Sequence, residues 1–371
     1  MSGDEVVTLA VCGDVMLGRG VDQILPAPSD PALRESYIAD ARSYVALAER
    51  AHGPVPSPVD PTWPWGDALA ALDEVAPDVL LLNLETSITR SDDFAPGKAV
   101  HYRMSPANVA CLATARPDVC TLANNHVMDF GVAGLLETLD VLASVGLATA
   151  GAGPDADAAW TPAVVPLPSG ARVLVLSVGM PSSGIPAGWA ATRTRPGVAL
   201  VTGPTGAAAA EVVDRLREHR RPGDLLVASI HWGSNWGYDI GADQRRFAHA
   251  LVEGGVHLVH GHSSHHPRPL EVHRGRLVLY GCGDLINDYE GIAGHGGYRD
   301  DLRLLYLVTL HAHSGELADL RMVPLRTRRL RLERASAADA AWLAGMLDRT
   351  SRRLGVRVVA GADGRLALGA S

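Results

Sequence analysis

Val256-His257-Leu258-Val259-His260-Gly261-His262-Ser263-Ser264-His265-His266-Pro267 is an apolar run that breaks into a cluster of histidines. A buried strand that ends this way aims several imidazoles at one point, and neutral imidazole is a common ligand of borderline metals. Whether the cluster is a site or a polar loop depends on what other strand ends bring to it. Four earlier apolar runs also stop on residues able to bind metal. Residues 6–12 precede Gly13-Asp14, 79–82 precede Asn83-Leu84-Glu85, 119–122 precede Asn124-Asn125-His126, and 225–230 precede His231-Trp232-Gly233. Predicted helices at 67–75, 107–115, 131–144, 207–219 and 243–253 separate the runs, which argues an α/β sheet with helices on its faces. In such sheets sites form outside the carboxyl ends of the strands. Asp14, Glu85, Asn125, His231, His262 and His265 can therefore meet although they are far apart in sequence.

Away from these strands, the segment 26–66 is rich in proline at both ends, holds one predicted helix at 33–51, and reads as an insertion over the surface. After the cluster, 270–272, 277–280, 302–310 and 317–325 read as strands joined by short turns, paired antiparallel in a second sheet. An amphipathic helix at 336–353 closes the chain. The expected organisation is one catalytic domain over 1–330, with 331–371 packed on it.

With 371 residues, 47% of them hydrophobic, the chain can bury a large core. A net charge of −8 without a basic stripe argues against a nucleic-acid surface. Cys12, Cys111, Cys120 and Cys282 are scattered, as in proteins of reducing compartments. The first residues lack the pattern of a secretory leader, and no run is long enough to span a bilayer. The expected location is cytoplasmic, with no membrane partner. Lys98 is the sole lysine and no glycine-rich cradle precedes it, which excludes a Walker-type nucleotide site and argues against pyridoxal phosphate.

Carboxylates, a carboxamide and imidazoles without thiolate suit manganese, iron, zinc or cobalt, and there are enough ligands for two ions. The successive blocks Gly13-Asp14-Val15-Met16-Leu17-Gly18-Arg19, Asn83-Leu84-Glu85, Leu122-Ala123-Asn124-Asn125-His126 with Asp129-Phe130-Gly131, His231-Trp232-Gly233, and Gly261-His262 with His265 resemble those of the CapA-like proteins. That family is named for capsule and poly-γ-glutamate synthesis and has the calcineurin-like metallophosphatase fold. The resemblance spans roughly residues 6–290 and implies a four-layer α/β/β/α sandwich with a binuclear centre. Asp14 and His265 would hold one metal, Asn125, His231 and His262 the other, with Glu85 bridging and His126 as proton donor. Met16 stands where phosphoesterases of this fold usually carry a histidine, so the first metal is expected to be one ligand short. The choice between His265 and His266 stays open.

For the reaction, the chain is similar to a soluble branch of the family found with lasso-peptide biosynthesis. This implies a metal-dependent peptide epimerase that inverts the Cα of a precursor's C-terminal residue, with the metals stabilising an enediolate. His295, on the glycine-rich stretch 294–297, is the first candidate acid/base, with Asp14 or His126 opposite. Arg19, Trp232, Trp236 and His266 are expected to face the substrate, the tryptophans lining a pocket for an aromatic terminal residue. The alternatives are a binuclear metallophosphoesterase and a component of poly-γ-glutamate assembly.

Overall fold

The computed structural model describes residues 5–292, 294 and 296–369. Its framework is β1 (Val6–Val15), β2 (Val79–Leu84), β3 (Val119–Thr121), β4 (Arg172–Gly179), β5 (Leu225–His231), β6 (Leu258–His262), β7 (Leu270–His273), β8 (Arg276–Leu279), β9 (Asp284–Ile286), β10 (Leu302–His311) and β11 (Leu317–Thr327). Helices α1 (Arg42–His52), α2 (Asp67–Val75), α3 (Gly131–Ser144), α4 (Gly206–His219), α5 (Ala242–Glu253) and α6 (Ala337–Ser351) cover it. The predicted helix at 33–51 forms only from Arg42, and the one at 107–115 shrinks to a turn at Pro106–Asn108 followed by Ala110–Ala113.

Among the described residues, the strands form one ten-stranded and one six-stranded mixed sheet, with two further two-stranded pairs. In the first sheet β1, β2 and β3 run parallel, and β10 and β11 extend it antiparallel on the far side of β1. In the second, β4, β5, β6 and β8 are parallel and β7 turns back on β8. The expectation that the strands after the cluster make one second sheet is thus corrected. β7 and β8 join the sheet of the histidine cluster, whereas β10 and β11 join that of β1.

Side-chain alternation explains how the sheets stack. On β2, Leu80 and Leu82 pack with Ala68 and Leu72 of α2 and Leu135 and Leu142 of α3. Val79 and Leu81, pointing the other way, share a core with Val175 of β4, Val227 of β5 and Leu258 of β6. The opposite face of the second sheet, Leu174, Leu226 and Ala228, packs on Val212 and Leu216 of α4 and Phe247 and Leu251 of α5. Fully burying one such leucine is worth about 2 kcal/mol, so these faces fix the register of every strand that carries the site. α6 adds Leu343 and Leu347 to the core that holds Val175 and Leu258. None of the helices among the described residues is long and apolar enough to cross a membrane.

Candidate metal centre

The carboxyl ends of β1, β2 and β3 in one sheet and of β5 and β6 in the other deliver the polar residues to one place. Asp14 is fully buried, its Oδ1 accepting from Asn83 Nδ2 at 2.7 Å and its Oδ2 from the Ser263 N–H at 3.1 Å. Donor atoms of Asp14, His231 and His262 lie within 4.8 Å of one another, and so do those of Asp14, His265 and Asp284. The two groups share Asp14. Asn125 Oδ1 sits 2.8 Å from His231 Nε2, and Glu85 Oε1 lies 3.8 Å from the same nitrogen.

Asp284 carried no role in the sequence reading, and the structure supplies it. β9 pairs parallel with β1 so that Asp284 stands opposite Asp14. Gly13 permits this, because a Cβ there would lie 2.0 Å from the Gly283 carbonyl oxygen. The signal was present as a second Gly-Asp, Gly283-Asp284, repeating Gly13-Asp14. Met16, where the sequence lacks a histidine, is buried, and Asp284, 3.0 Å from His265 Nδ1, places a further carboxylate beside Asp14.

The cluster divides by hydrogen bonding. His260 Nε2 faces the Cys12 carbonyl at 2.9 Å, which can only accept, so Nε2 carries the proton. Burial holds this ring well below the ordinary histidine range, at about 4, so it is neutral and its Nδ1 accepts from Ser229 Oγ at 3.0 Å. Ser229 Oγ also lies 2.9 Å from His262 Nε2 and 3.3 Å from Thr121 Oγ1, while His262 Nδ1 lies 2.8 Å from His231 Nδ1 and 3.7 Å from Asp14 Oδ1. His266 Nδ1 lies 3.0 Å from the Pro267 carbonyl and its Nε2 accepts from the Gly237 N–H at 3.1 Å, so both nitrogens are used. His265, not His266, faces Asp14 and Asp284. Ser263, between them, holds a left-handed φ of 101°, a strained conformation for a residue with a side chain.

His126 lies beside Glu85, its Nε2 3.7 Å from Oε1, while its Nδ1 is 2.6 Å from Asp129 Oδ2. Lys98 pairs with the other oxygen of Asp129 and donates to the Asn125 carbonyl. The sole lysine therefore anchors the carboxylate that orients His126, a role its isolation in the composition could have flagged. Burial pulls His126 down to about 4 and pushes Asp14 up to about 7, the latter helped by neighbouring Asp284. Glu85 is raised by burial and then by Asp14, and its Oε2 is buried without a hydrogen-bond partner. His231 and His262 are lowered, by burial first and then by His126 and His231 respectively. Burial lowers His265 too, but Asp284 and then Asp14 outweigh it and leave the ring raised.

Of the residues expected to face substrate, Trp236 lines a cavity of about 240 Å³ with His265, Tyr102 and Tyr289. Trp232 does not. It is 1% exposed, stacked on Tyr280 and donating its Nε1–H to the Tyr280 carbonyl, because strand alternation turns it away from the side that His231 faces. Arg19 borders the same cavity as Trp236, but its guanidinium is buried and held by Asp288 and Glu35. His295 lies outside the described residues.

The family described as bacterial capsule synthesis protein PGA_cap matches residues 8–289, three quarters of the chain and all of the centre's residues. The chain belongs to this family. It is 52% identical over 368 residues to a probable polyglutamine synthesis accessory protein of Mycobacterium tuberculosis, covering 99% of this chain and 97% of that protein. It is 26% identical over 287 residues to the PGA biosynthesis protein CapA of Bacillus subtilis, covering 77% of this chain and 64% of that protein. The capsule biosynthesis protein CapA of Bacillus anthracis is 24% identical over 323 residues, covering 87% of this chain and 68% of that protein. These relatives overturn the expectation of a peptide epimerase. A relative matching this capsule-synthesis member nearly end to end is named for polyglutamine synthesis, and the lasso-peptide assignment falls with the epimerase reading.

Proposed function

We propose that this protein is a two-metal phosphoester hydrolase serving polyglutamate synthesis as an accessory enzyme. The observation that carries the reading is the pair of donor triads sharing Asp14, with His126 beside them. The residues fit divalent ions. Asp14, Glu85 and Asp284 are buried together, and the unpartnered Glu85 Oε2 leaves carboxylate charge uncompensated, a costly arrangement without a cation. Asp14, His265 and Asp284 would hold one ion and Asp14, His231, His262 and Asn125 the other, with Glu85 between them. We infer also that the three cores, one between the sheets and one beneath each set of helices, make a four-layer α/β/β/α sandwich.

Bound ions would supply Lewis acidity toward an anionic substrate and toward water. The chain's own residues do the rest. A cavity of about 210 Å³, lined by Glu85, Lys98, Asn125, His126, His265 and Tyr289, seats the reacting group. His126, neutral with its Nδ1–H fixed on Asp129, presents the lone pair of Nε2, which takes a proton from the attacking water and passes it to the leaving oxygen. Lys98 holds Asp129 in place and adds positive charge beside the anion.

The test measures metal content and hydrolysis of aryl phosphate esters by the metal-loaded protein. About two ions per chain and turnover abolished by chelation are expected; a fully loaded protein that hydrolyses no phosphoester overturns the reading. His126→Gln is expected to lower turnover by about 10²- to 10³-fold with unchanged metal content. Equal losses of metal and activity would instead make His126 a ligand.

Metal binding is also expected to release protons, more at pH 6 than at pH 8. Asp14, raised to about 7, and His265, raised by Asp284, are protonated in the metal-free protein at pH 6 and must give up those protons to ligate. Affinity therefore rises with pH through about 7. Calorimetric titrations in buffers of different ionisation enthalpy read this directly; equal proton release at both pH values contradicts it.

A further inference from the structure

The cavity of about 210 Å³ that seats the reacting group lies against the one of about 240 Å³, the two sharing Val100, Tyr102, Asn235, His265 and Tyr289 among their lining residues. The larger one is walled by rings. Tyr37, Tyr44, Tyr102, Trp236 and Tyr289 line it, and Tyr37, 63% exposed, and Ile292, 37% exposed, put apolar surface at its mouth. Trp236 is braced by ring contacts with His266 and Tyr298, centroids 5.9 and 5.2 Å away. The walls also reach the reacting groups directly. The Tyr102 ring meets His126 edge-on with centroids 4.5 Å apart, and the Tyr289 ring meets His265 in the same way at 5.1 Å.

Most polar atoms of this wall are already paired. The Tyr102 and Tyr289 hydroxyls bond each other at 2.7 Å, the Tyr44 hydroxyl accepts from Arg19 and donates to Glu35, and Asn235 Nδ2 lies 3.0 Å from His265 Nε2. Among the described lining residues Arg19 is the one arginine or lysine, and buried Asp288 and Glu35 already match its charge. The wall therefore recruits no second anion and offers ring faces and edges, which a flat π system packs against better than a saturated chain does. We propose that this cavity is the leaving-group subsite, and that the substrates are phosphate esters of a neutral, planar aromatic alcohol rather than of an acidic or aliphatic one. A cavity of about 150 Å³ holds a benzene ring, so one of about 240 Å³ takes a larger system of two fused rings. The inference rests on the phosphoester reading for its reaction. The P–O bond to the ring-bearing oxygen breaks as the oxygen of water joins phosphorus, and the proton that water gives up reaches the departing oxygen through His126, releasing phosphate and the aromatic alcohol.

The first arm of the experiment compares kcat/KM of the full-length, metal-loaded protein for 2-naphthyl phosphate and phenyl phosphate, whose leaving alcohols are of similar acidity. The larger ring is expected to be preferred about tenfold, with the difference in KM, because ring packing is present before the transition state is reached. Trp236→Ala is expected to shrink the preference to within about twofold with metal content unchanged, and Trp236→Phe to keep most of it. The second arm needs no turnover. Metal-loaded protein is titrated in a calorimeter with 2-naphthylphosphonate, its saturated decahydro counterpart and methylphosphonate. The aromatic phosphonate is expected to bind about tenfold more tightly than either of the others, and Trp236→Ala to remove that advantage. Hydrolysis without ring preference overturns this inference and leaves the phosphoester reading standing, whereas ring-selective binding without turnover leaves the aromatic subsite standing and removes that reading. Equal or absent binding of the three phosphonates, or a ring preference untouched by Trp236→Ala, overturns the inference as well.

Discussion

Asp14→Ala is expected to strip the protein of both ions of the central site and to cut turnover by at least about 10³-fold, the several kcal/mol that metal ions contribute at roughly tenfold per 1.4 kcal/mol. No other side chain belongs to both donor triads there. Asparagine is not a mild alternative. Oδ1 already accepts from Asn83 and Oδ2 from the Ser263 N–H, so an amide would set its own N–H group against one of these donors. Stability should move differently from activity. In the metal-free protein the folded Asp14 carboxyl is raised to about 7, against about 3.9 when unfolded, so folding disfavours its charged form. That penalty is absent below about pH 4 and grows as pH rises through about 7. Chelated Asp14→Ala should therefore gain stability relative to chelated wild type between pH 5 and pH 8, while metal stabilises only the wild type. Melting temperatures at the two pH values, with and without metal, measure this. Two retained ions, or activity within tenfold of wild type, would remove Asp14 from the centre.

Much of this site is legible in the sequence because its strands are buried on both faces. Such strands read as near-continuous apolar runs, and the polar residues within a few positions of each strand end mark the crevice. Asp14, Glu85, Asn125, His231, His262 and His265, all at or just past such ends, lie together. Trp232 was legible too, had the two-residue period been continued past His231: neighbours on a strand face opposite sides. Asp284 was harder. It follows no long apolar run of its own, and its place opposite Asp14 arises from a parallel pairing of β9 with β1 across most of the chain. Nor does alternation say which sheet an antiparallel pair joins, since β7–β8 and β10–β11 carry the same pattern and differ only in their third neighbour. The chain of contacts from Cys12 through His260 and Ser229 to His262 joins three strands and is visible only in three dimensions.

Arg19→Ala is expected to cost about 3–5 kcal/mol of stability, the usual result of removing one partner from a buried ion pair. Arg19 closes the first sequence block, and as a substrate-facing residue its loss would raise KM and leave folding alone. The structure argues otherwise. Its guanidinium forks onto both oxygens of Asp288 and reaches Glu35 and the Tyr44 hydroxyl, with the Tyr44 ring 3.9 Å and the Tyr102 ring 4.3 Å away. Asp288 and Glu35 are themselves buried, so removing the cation strands two carboxylates in the core. Lysine would not rescue, since an ammonium cannot reproduce a planar bidentate fork between aromatic rings. Urea denaturation separates the two roles, because the stability loss is present without substrate or metal. Asp288→Asn supplies the partner for a double-mutant cycle. If the pair is structural, the double variant should lose much less than the sum of the single losses, since each single change leaves the other charge buried alone. Additive losses, or a normal denaturation midpoint for Arg19→Ala with KM raised, would return Arg19 to the substrate.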